Sequence, residues 1–177
     1  WHEQVGGIIP GIKLIKSKPG IKQEITYDLL KLDNNTINQL NERFVVLYTG
    51  QRRLAKGILR DIMGDYILNS PSKIKYLYEI QRIAVLMKFE LEKGNIDAFA
   101  ELMNEHFRIN KLIDAGSTNN YIDQIIEICR PYISSVKMCG AGGGGFAQML
   151  LKRGEDKEAL GRILQGTFKE NCVGLWD

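Results

Sequence analysis

Residues 140–145 read Gly-Ala-Gly-Gly-Gly-Gly, and no other segment restricts the fold of this 177-residue chain so tightly. Each glycine loses more backbone freedom on folding than any residue with a side chain, so such a run is costly inside a helix or strand. Its flanks are strand-like: Ile133 to Cys139 precede it and Phe146 to Lys152 follow it, both rich in apolar residues over strand-sized lengths. The run is therefore expected to be the tip of a β-hairpin. A purely structural hairpin manages with about one or two glycines. Successive glycine N–H groups can instead point into one concavity and hold phosphate. Gly140, Ala141, Gly142, Gly143, Gly144 and Gly145 are thus candidate phosphate-binding residues, with an ordinary turn as the plainer alternative.

The remaining pattern places this hairpin in a fold. Gly11 to Ser17 and Ile21 to Tyr27 alternate apolar with polar residues and read as half-buried strands separated by Pro19-Gly20. Asn34 or Asn35 can cap a short helix to about Arg43, and Phe44 to Tyr48 is an almost continuous apolar strand ended by Thr49-Gly50. Three helices are predicted next. The first carries Leu54, Ile58, Leu59, Ile62, Met63, Tyr66 and Ile67 on one face. The second starts at Ser70-Pro71 and stops at Gly94-Asn95, and the third carries Ile96, Phe99, Ala100, Met103 and Phe107. A short helix resumes through Ile122, Ile125, Ile126 and Cys129. After the hairpin, Leu160, Ile163, Leu164 and Phe168 give one more amphipathic helix, and Cys172 to Trp176 a last strand. From Phe44 onward the order is that of an α+β, ferredoxin-like βαββαβ sandwich with an enlarged helical crossover.

A chain of this size buries enough surface to fold without staples. Lys and Arg number 24 against 21 Asp and Glu, a net charge of +3 that is too small to make nucleic acid the default partner. The longest apolar runs, such as Ile83 to Met87, fall far short of the roughly 20 residues that cross a bilayer, so no membrane partner is expected. Cys129, Cys139 and Cys172 lack C-x-x-C spacing, which argues against a disulfide framework or a zinc site and for reduced thiols in a cytoplasm. His106 has no Cys or second His at ligand spacing, so a packed or surface histidine is the expectation and no metal ligand is assigned. Trp1 is expected to be a cut edge of a longer polypeptide.

Gly140, Gly142 and Gly145 also match G-x-G-x-x-G. A dinucleotide fingerprint requires a helix directly after it, whereas Phe146 to Leu151 reads as strand. The following strand lacks the V-A-I-K of a protein kinase, and no Gly-Lys-Ser or Gly-Lys-Thr follows as in a Walker loop.

Met138-Cys139 and the glycine run resemble the third motif of the GHMP family of small-molecule kinases. Other segments extend the resemblance over nearly the whole chain and towards the L-fucose kinases within that family. Trp1-His2-Glu3-Gln4-Val5-Gly6-Gly7, followed by Pro10-Gly11-Ile12-Lys13, is similar to a W-Q-D-Q-V-G-G segment. Tyr48 to Lys56 is similar to Y-T-G-x-x-R-x-A-K/R, and Asn104-Glu105-His106 and Asp114 to Asn119 match the spacing ahead of the hairpin.

The resemblance implies transfer of the γ-phosphoryl group of ATP, with Mg2+, to the anomeric hydroxyl of a sugar. It implies that Glu3 stands where the family's acidic base stands, although Glu is one methylene longer than the family's Asp, and His2 replaces a Gln. It places Gly6, Gly7, Arg52, Ser117 and Thr118 near the sugar. Arg52, Arg53, Lys56 and Arg60 form a cationic stretch for which a solvated face is the commoner meaning. Ser117 and Thr118 can equally cap the helix that starts near Tyr121. By the same resemblance, residues 1–43 are a remnant of the N-terminal kinase region and residues 44–177 the C-terminal domain. The main phosphate loop and the magnesium ligand are expected upstream, so the missing N-terminal half is a partner and the isolated chain is expected to be inactive. Self-association stays open. The alternatives are a heptose kinase of the same family and a non-catalytic ferredoxin-like ligand-binding module.

Overall fold

The computed structural model describes residues 2–18, 24–51, 71–168 and 174–176. Helix α1 (His2–Ile8) leads into strand β1 (Lys13–Ser17), which pairs antiparallel with β2 (Ile25–Leu29) in register Lys13 to Leu29 and Ser17 to Ile25. The second strand thus lies further along the chain than its Ile21–Tyr27 expectation. Of that expected strand, Ile21, Lys22 and Gln23 lie outside the described residues, as does the intervening Pro19-Gly20. Helix α2 (Asn34–Arg43) begins at Asp33, whose carboxylate accepts from the Thr36 N–H at 2.7 Å. Asp33 therefore takes the capping place expected of Asn34 or Asn35, one step earlier in a run of three residues that are all good caps.

Strand β3 (Phe44–Tyr48) follows without a break. The helix expected over Leu54 to Ile67 lies outside the described residues. Helix α3 (Pro71–Glu92) and helix α4 (Ile96–Ile113) meet at Gly94-Asn95, where the Asn95 side chain accepts from the Ala98 N–H. At the other end of α4, the Lys73 ammonium donates to the Leu112 and Ile113 carbonyls and so satisfies orphan acceptors of the last turn. A short 3-10 turn, Ala115–Ser117, leads to α5 (Asn120–Cys129), β4 (Ile133–Met138), β5 (Phe146–Leu151), α6 (Lys157–Thr167) and β6 (Gly174–Trp176).

The main sheet is antiparallel, in the order β4-β5-β3-β6. That is the ferredoxin-like order predicted from Phe44 onward. Its two faces bury different helices. Val45, Leu47, Val136, Met138, Ala147 and Met149 pack against Ile122, Ile125 and Ile126 of α5 and Leu160 and Leu164 of α6. On the other face Leu150 and Phe44 meet Leu91, Phe99 and Met103. The enlarged crossover is therefore split: its α5 holds one face beside α6 of the second crossover, and its α3 and α4 cover the opposite one. Edge strand β4 is closed by Asn104 of α4, whose amide donates to the Ser134 carbonyl at 2.9 Å and accepts from the Val136 N–H at 3.1 Å. The side chain reproduces one step of the pairing of a neighbouring strand and blunts the edge there.

Candidate functional site

The hairpin tip between β4 and β5 is held by two other loops. The Gly143 N–H donates to the Ser117 carbonyl at 2.7 Å, and the Gly145 N–H to the Gln51 carbonyl at 2.7 Å. The Gly145 carbonyl accepts from both the N–H and the hydroxyl of Thr49, each at 2.9 Å, and Thr49 is fully buried. Asn119 ties the parts together: its amide nitrogen donates to Gln51 Oε1 at 3.2 Å and to the Gly143 carbonyl at 3.4 Å. Thr49, Gly50 and Gln51 follow β3 directly, so the pairing of β3 with β5 is what carries this loop to the hairpin base. The Tyr48 and Phe146 rings pack 5.1 Å apart at that junction.

Much of the glycine content has a structural cause. Gly140, Gly142, Gly143 and Gly145 all have positive φ, between 59° and 81°, a region that side chains rarely adopt. At Gly142 a Cβ would also sit 2.3 Å from the Ser117 carbonyl oxygen. The expectation that a structural hairpin manages with one or two glycines does not hold for a tip this tightly folded.

The hydrogen bonds also divide the tip. The N–H groups of Gly142, Gly143 and Gly145 are donated within the protein, to Cys139, Ser117 and Gln51. Those of Gly140, Ala141 and Gly144 have no acceptor among the described residues. The loop facing the hairpin adds two buried hydroxyls, Ser117 Oγ and Tyr121 Oη, without a partner among the described residues; the buried Asp114 Oδ2, also unpartnered among them, is an acceptor and offers no donor to a phosphate. Unpaired donors beside a rigid glycine backbone fit a bound phosphate group.

The other residues singled out in the sequence distribute differently. Ser117 is buried and gives its carbonyl to the hairpin, while the Thr118 hydroxyl donates to Asp123 at 2.7 Å. Neither caps α5. That place belongs to Asn119, whose side chain accepts from the Ile122 N–H at 3.0 Å. Glu3 lies in α1, but its side chain is outside what is described, and Arg52, Arg53, Lys56 and Arg60 lie outside the described residues. Gly6 and Gly7 are exposed with open space around them, and the Gly6 carbonyl accepts from Lys13 Nζ at 3.3 Å. Sequence reasoning missed Gln51 and Asn119 as members of the site. Asn119, three residues ahead of the apolar Ile122, carried a capping signal that Ser117 and Thr118 obscured.

Among the described residues no cluster of His, Cys, Asp and Glu could hold a metal ion, and no helix is long and apolar enough to cross a membrane. Cys129 and Cys139 are free thiols; burial pushes Cys129 up to about 12 and, against the lowering effect of Lys137, Cys139 upward as well, which favours the protonated thiol in both. His106 on α4 is pushed down to about 4, by burial and then by the charge of Lys137.

Comparison with known proteins agrees with this architecture. The family model described as GHMP kinases C terminal matches residues 87–170. The bifunctional fucokinase/GDP-fucose pyrophosphorylase of Arabidopsis thaliana is 32% identical over 165 residues, which are 93% of this chain and 16% of that protein. The L-fucokinase/L-fucose-1-P guanylyltransferase of Bacteroides fragilis is 31% identical over 163 residues, 92% of this chain and 17% of that protein. The chain thus spans about a sixth of the length of these curated relatives. The mevalonate kinase of L. major superposes with a TM-score of 0.73 at 21% identity, over 94% of this chain and 48% of that one, a likeness of fold. Strand order, ordered motifs and matched relatives converge: the chain belongs to the GHMP kinase family and carries its C-terminal domain.

Proposed function

We propose that this chain is the C-terminal part of an ATP-dependent sugar kinase that converts L-fucose to L-fucose 1-phosphate. The observation that carries the reading is the glycine hairpin, clamped on three of its N–H groups and leaving those of Gly140, Ala141 and Gly144 without acceptors among the described residues. The fucokinase names of two relatives at 31–32% identity support the sugar.

Phosphoryl transfer asks a protein mainly for positioning and charge stabilisation. In this proposal ATP supplies the phosphoryl group and Mg2+ accompanies it, held by residues upstream of this chain. The unpaired N–H groups of the hairpin and the Ser117 hydroxyl donate to phosphate oxygens. Clamping by Thr49, Gln51, Ser117 and Asn119 keeps those donors in place before the nucleotide arrives, so little ordering remains to be done on binding. Glu3 takes the proton of the anomeric hydroxyl as its oxygen attacks the γ-phosphorus, the bond from that phosphorus to the bridging oxygen breaks and ADP leaves, and Gly6, Gly7, Arg52 and Thr118 face the sugar. Residues 1–43 then belong with the N-terminal half of the kinase and residues 44–177 with its C-terminal domain.

Glu3→Gln tests this assignment. In the full-length protein it lowers kcat for L-fucose by about a hundredfold or more, the scale of a lost general base, with KM for ATP little changed. Unchanged kcat removes Glu3 from the chemistry.

A further inference from the structure

On the face of the main sheet that α3 and α4 cover, one cross-strand row departs from the apolar rule. Lys137 of β4 stands opposite Gln148 of β5, which stands opposite Val46 of β3, whereas the next row is Ser135, Leu150 and Phe44. Lys137 and Gln148 line a cavity of about 710 Å3 between the sheet, the β1–β2 hairpin, α2, α3 and α4. That volume falls within the range of about 300 to 1,000 Å3 in which small-molecule sites lie. Much of the wall is carbon, from Leu40, Phe44, Met87, Leu91 and neighbours.

The polar groups in this wall are unequal. Lys13 donates to the Gly6 carbonyl, and Lys88 lies 3.8 Å from Asp28 and 3.9 Å from Glu92. Lys137 has no hydrogen-bond or ion-pair partner among the described residues, and none of the described lining residues is a carboxylate. His106, also in the wall, has a buried Nδ1 without a partner among the described residues. Burial lowers the pKa of Lys137, as it does that of His106. Buried polar groups normally find partners because leaving them bare is costly, so two bare groups in one ligand-sized cavity point to a missing ligand. An excess of amines over carboxylates gives that ligand a negative charge, and the carbon wall gives it an apolar body. None of residues 140–145 lines this cavity, so it is separate from the glycine hairpin.

We infer that this cavity binds a small organic anion, a phosphate ester or a carboxylate, with Lys137 at its charged end and Leu40, Phe44, Met87 and Leu91 along its carbon skeleton. Calorimetric titration of the full-length protein with butyl phosphate and with butyrate tests this and tells the two chemistries apart. The expected result is saturable binding of at least one probe, unaffected by saturating ATP and weakened tenfold or more in Lys137→Met. Ala84→Phe, which fills the cavity from the α3 wall without altering Lys137, is expected to abolish it; the melting temperature of each variant reports folding separately. In the wild type the ring resonances of His106 shift with the same affinity. Absence of saturable binding by both probes, displacement by ATP, binding that leaves the His106 resonances unmoved, or undiminished binding in a folded variant each overturns the inference.

Discussion

At the hairpin, neighbouring glycines answer to different constraints, and substitution separates them. Gly142 combines φ of +81° with a Cβ position 2.3 Å from the Ser117 carbonyl. Gly142→Ala therefore incurs the left-handed strain of about 1–3 kcal/mol and a backbone clash on top, and it lowers the melting temperature whatever the loop binds. Gly144 has no positive φ and an N–H without an acceptor among the described residues. Gly144→Ala is expected to leave the melting temperature within a few degrees of the parent while raising KM for ATP tenfold or more, since a charge-assisted hydrogen bond is worth about 1.5–3 kcal/mol. Equal KM in a folded Gly144→Ala reduces the loop to a connection. Gly143 is a poorer probe, because its φ of +74° and its bond to Ser117 make any substitution a stability experiment as well. His106 offers a second residue-scale test. Its folded pKa of about 4 lies below the ordinary 6.5, so between those values the unfolded chain binds a proton that the folded chain refuses. Stability accordingly falls as pH drops from 6.5 to 4, by about 3 kcal/mol from this group alone, and is flat with respect to it outside that window. Urea titrations at pH 7 and pH 4.5 check the sign: His106→Leu loses less stability between the two than the parent does.

The elements most legible in the sequence were those with long apolar periodicity or an unbroken apolar run. Phe44 to Tyr48, the α4 face of Ile96, Phe99, Ala100, Met103 and Phe107, and the strands around the glycine run all form where their patterns place them. Boundaries with several equivalent signals were not legible. Asp33, Asn34 and Asn35 all make good caps, and only the geometry shows Asp33 holding Thr36. The same ambiguity hid Asn119 behind Ser117 and Thr118. The bonds that build the site from Gln51, Asn119 and Gly143 join residues far apart in sequence, and no local pattern encodes them. Asn119 couples an element to the site, since one side chain caps α5 and ties Gln51 to the hairpin. Asn119→Ala costs about 1 kcal/mol as a lost cap. It is expected to raise KM for ATP as well, because the hairpin loses a tether. Asn120→Ala, in the first turn of α5, serves as the control for the helix alone. A fall in melting temperature with unchanged KM assigns Asn119 to the helix only.

For the molecule as a whole, the βαββαβ order emerged from the sequence because each strand from β3 to β6 carries its own apolar or turn signal. The division of the crossover helices between two faces did not emerge, since it depends on which apolar stripe meets which side of the sheet. That division covers one face with α5 and α6, buries the other under α3 and α4, and leaves the glycine hairpin at the sheet end beside the Thr49–Gln51 and Ser117–Asn119 loops. The arrangement is what the proposed half-site requires: fixed backbone donors here, with the remaining phosphate contacts supplied, on that proposal, by an N-terminal half. The most direct measurement is the formation of sugar 1-phosphate from ATP, Mg2+ and L-fucose by the full-length protein, with the isolated 177-residue chain assayed beside it. The expected result is turnover of L-fucose by the full-length protein and none by the isolated chain. Absence of L-fucose turnover by the full-length protein contradicts the assigned reaction, and L-fucose 1-phosphate formed by the isolated chain contradicts its role as a half-site.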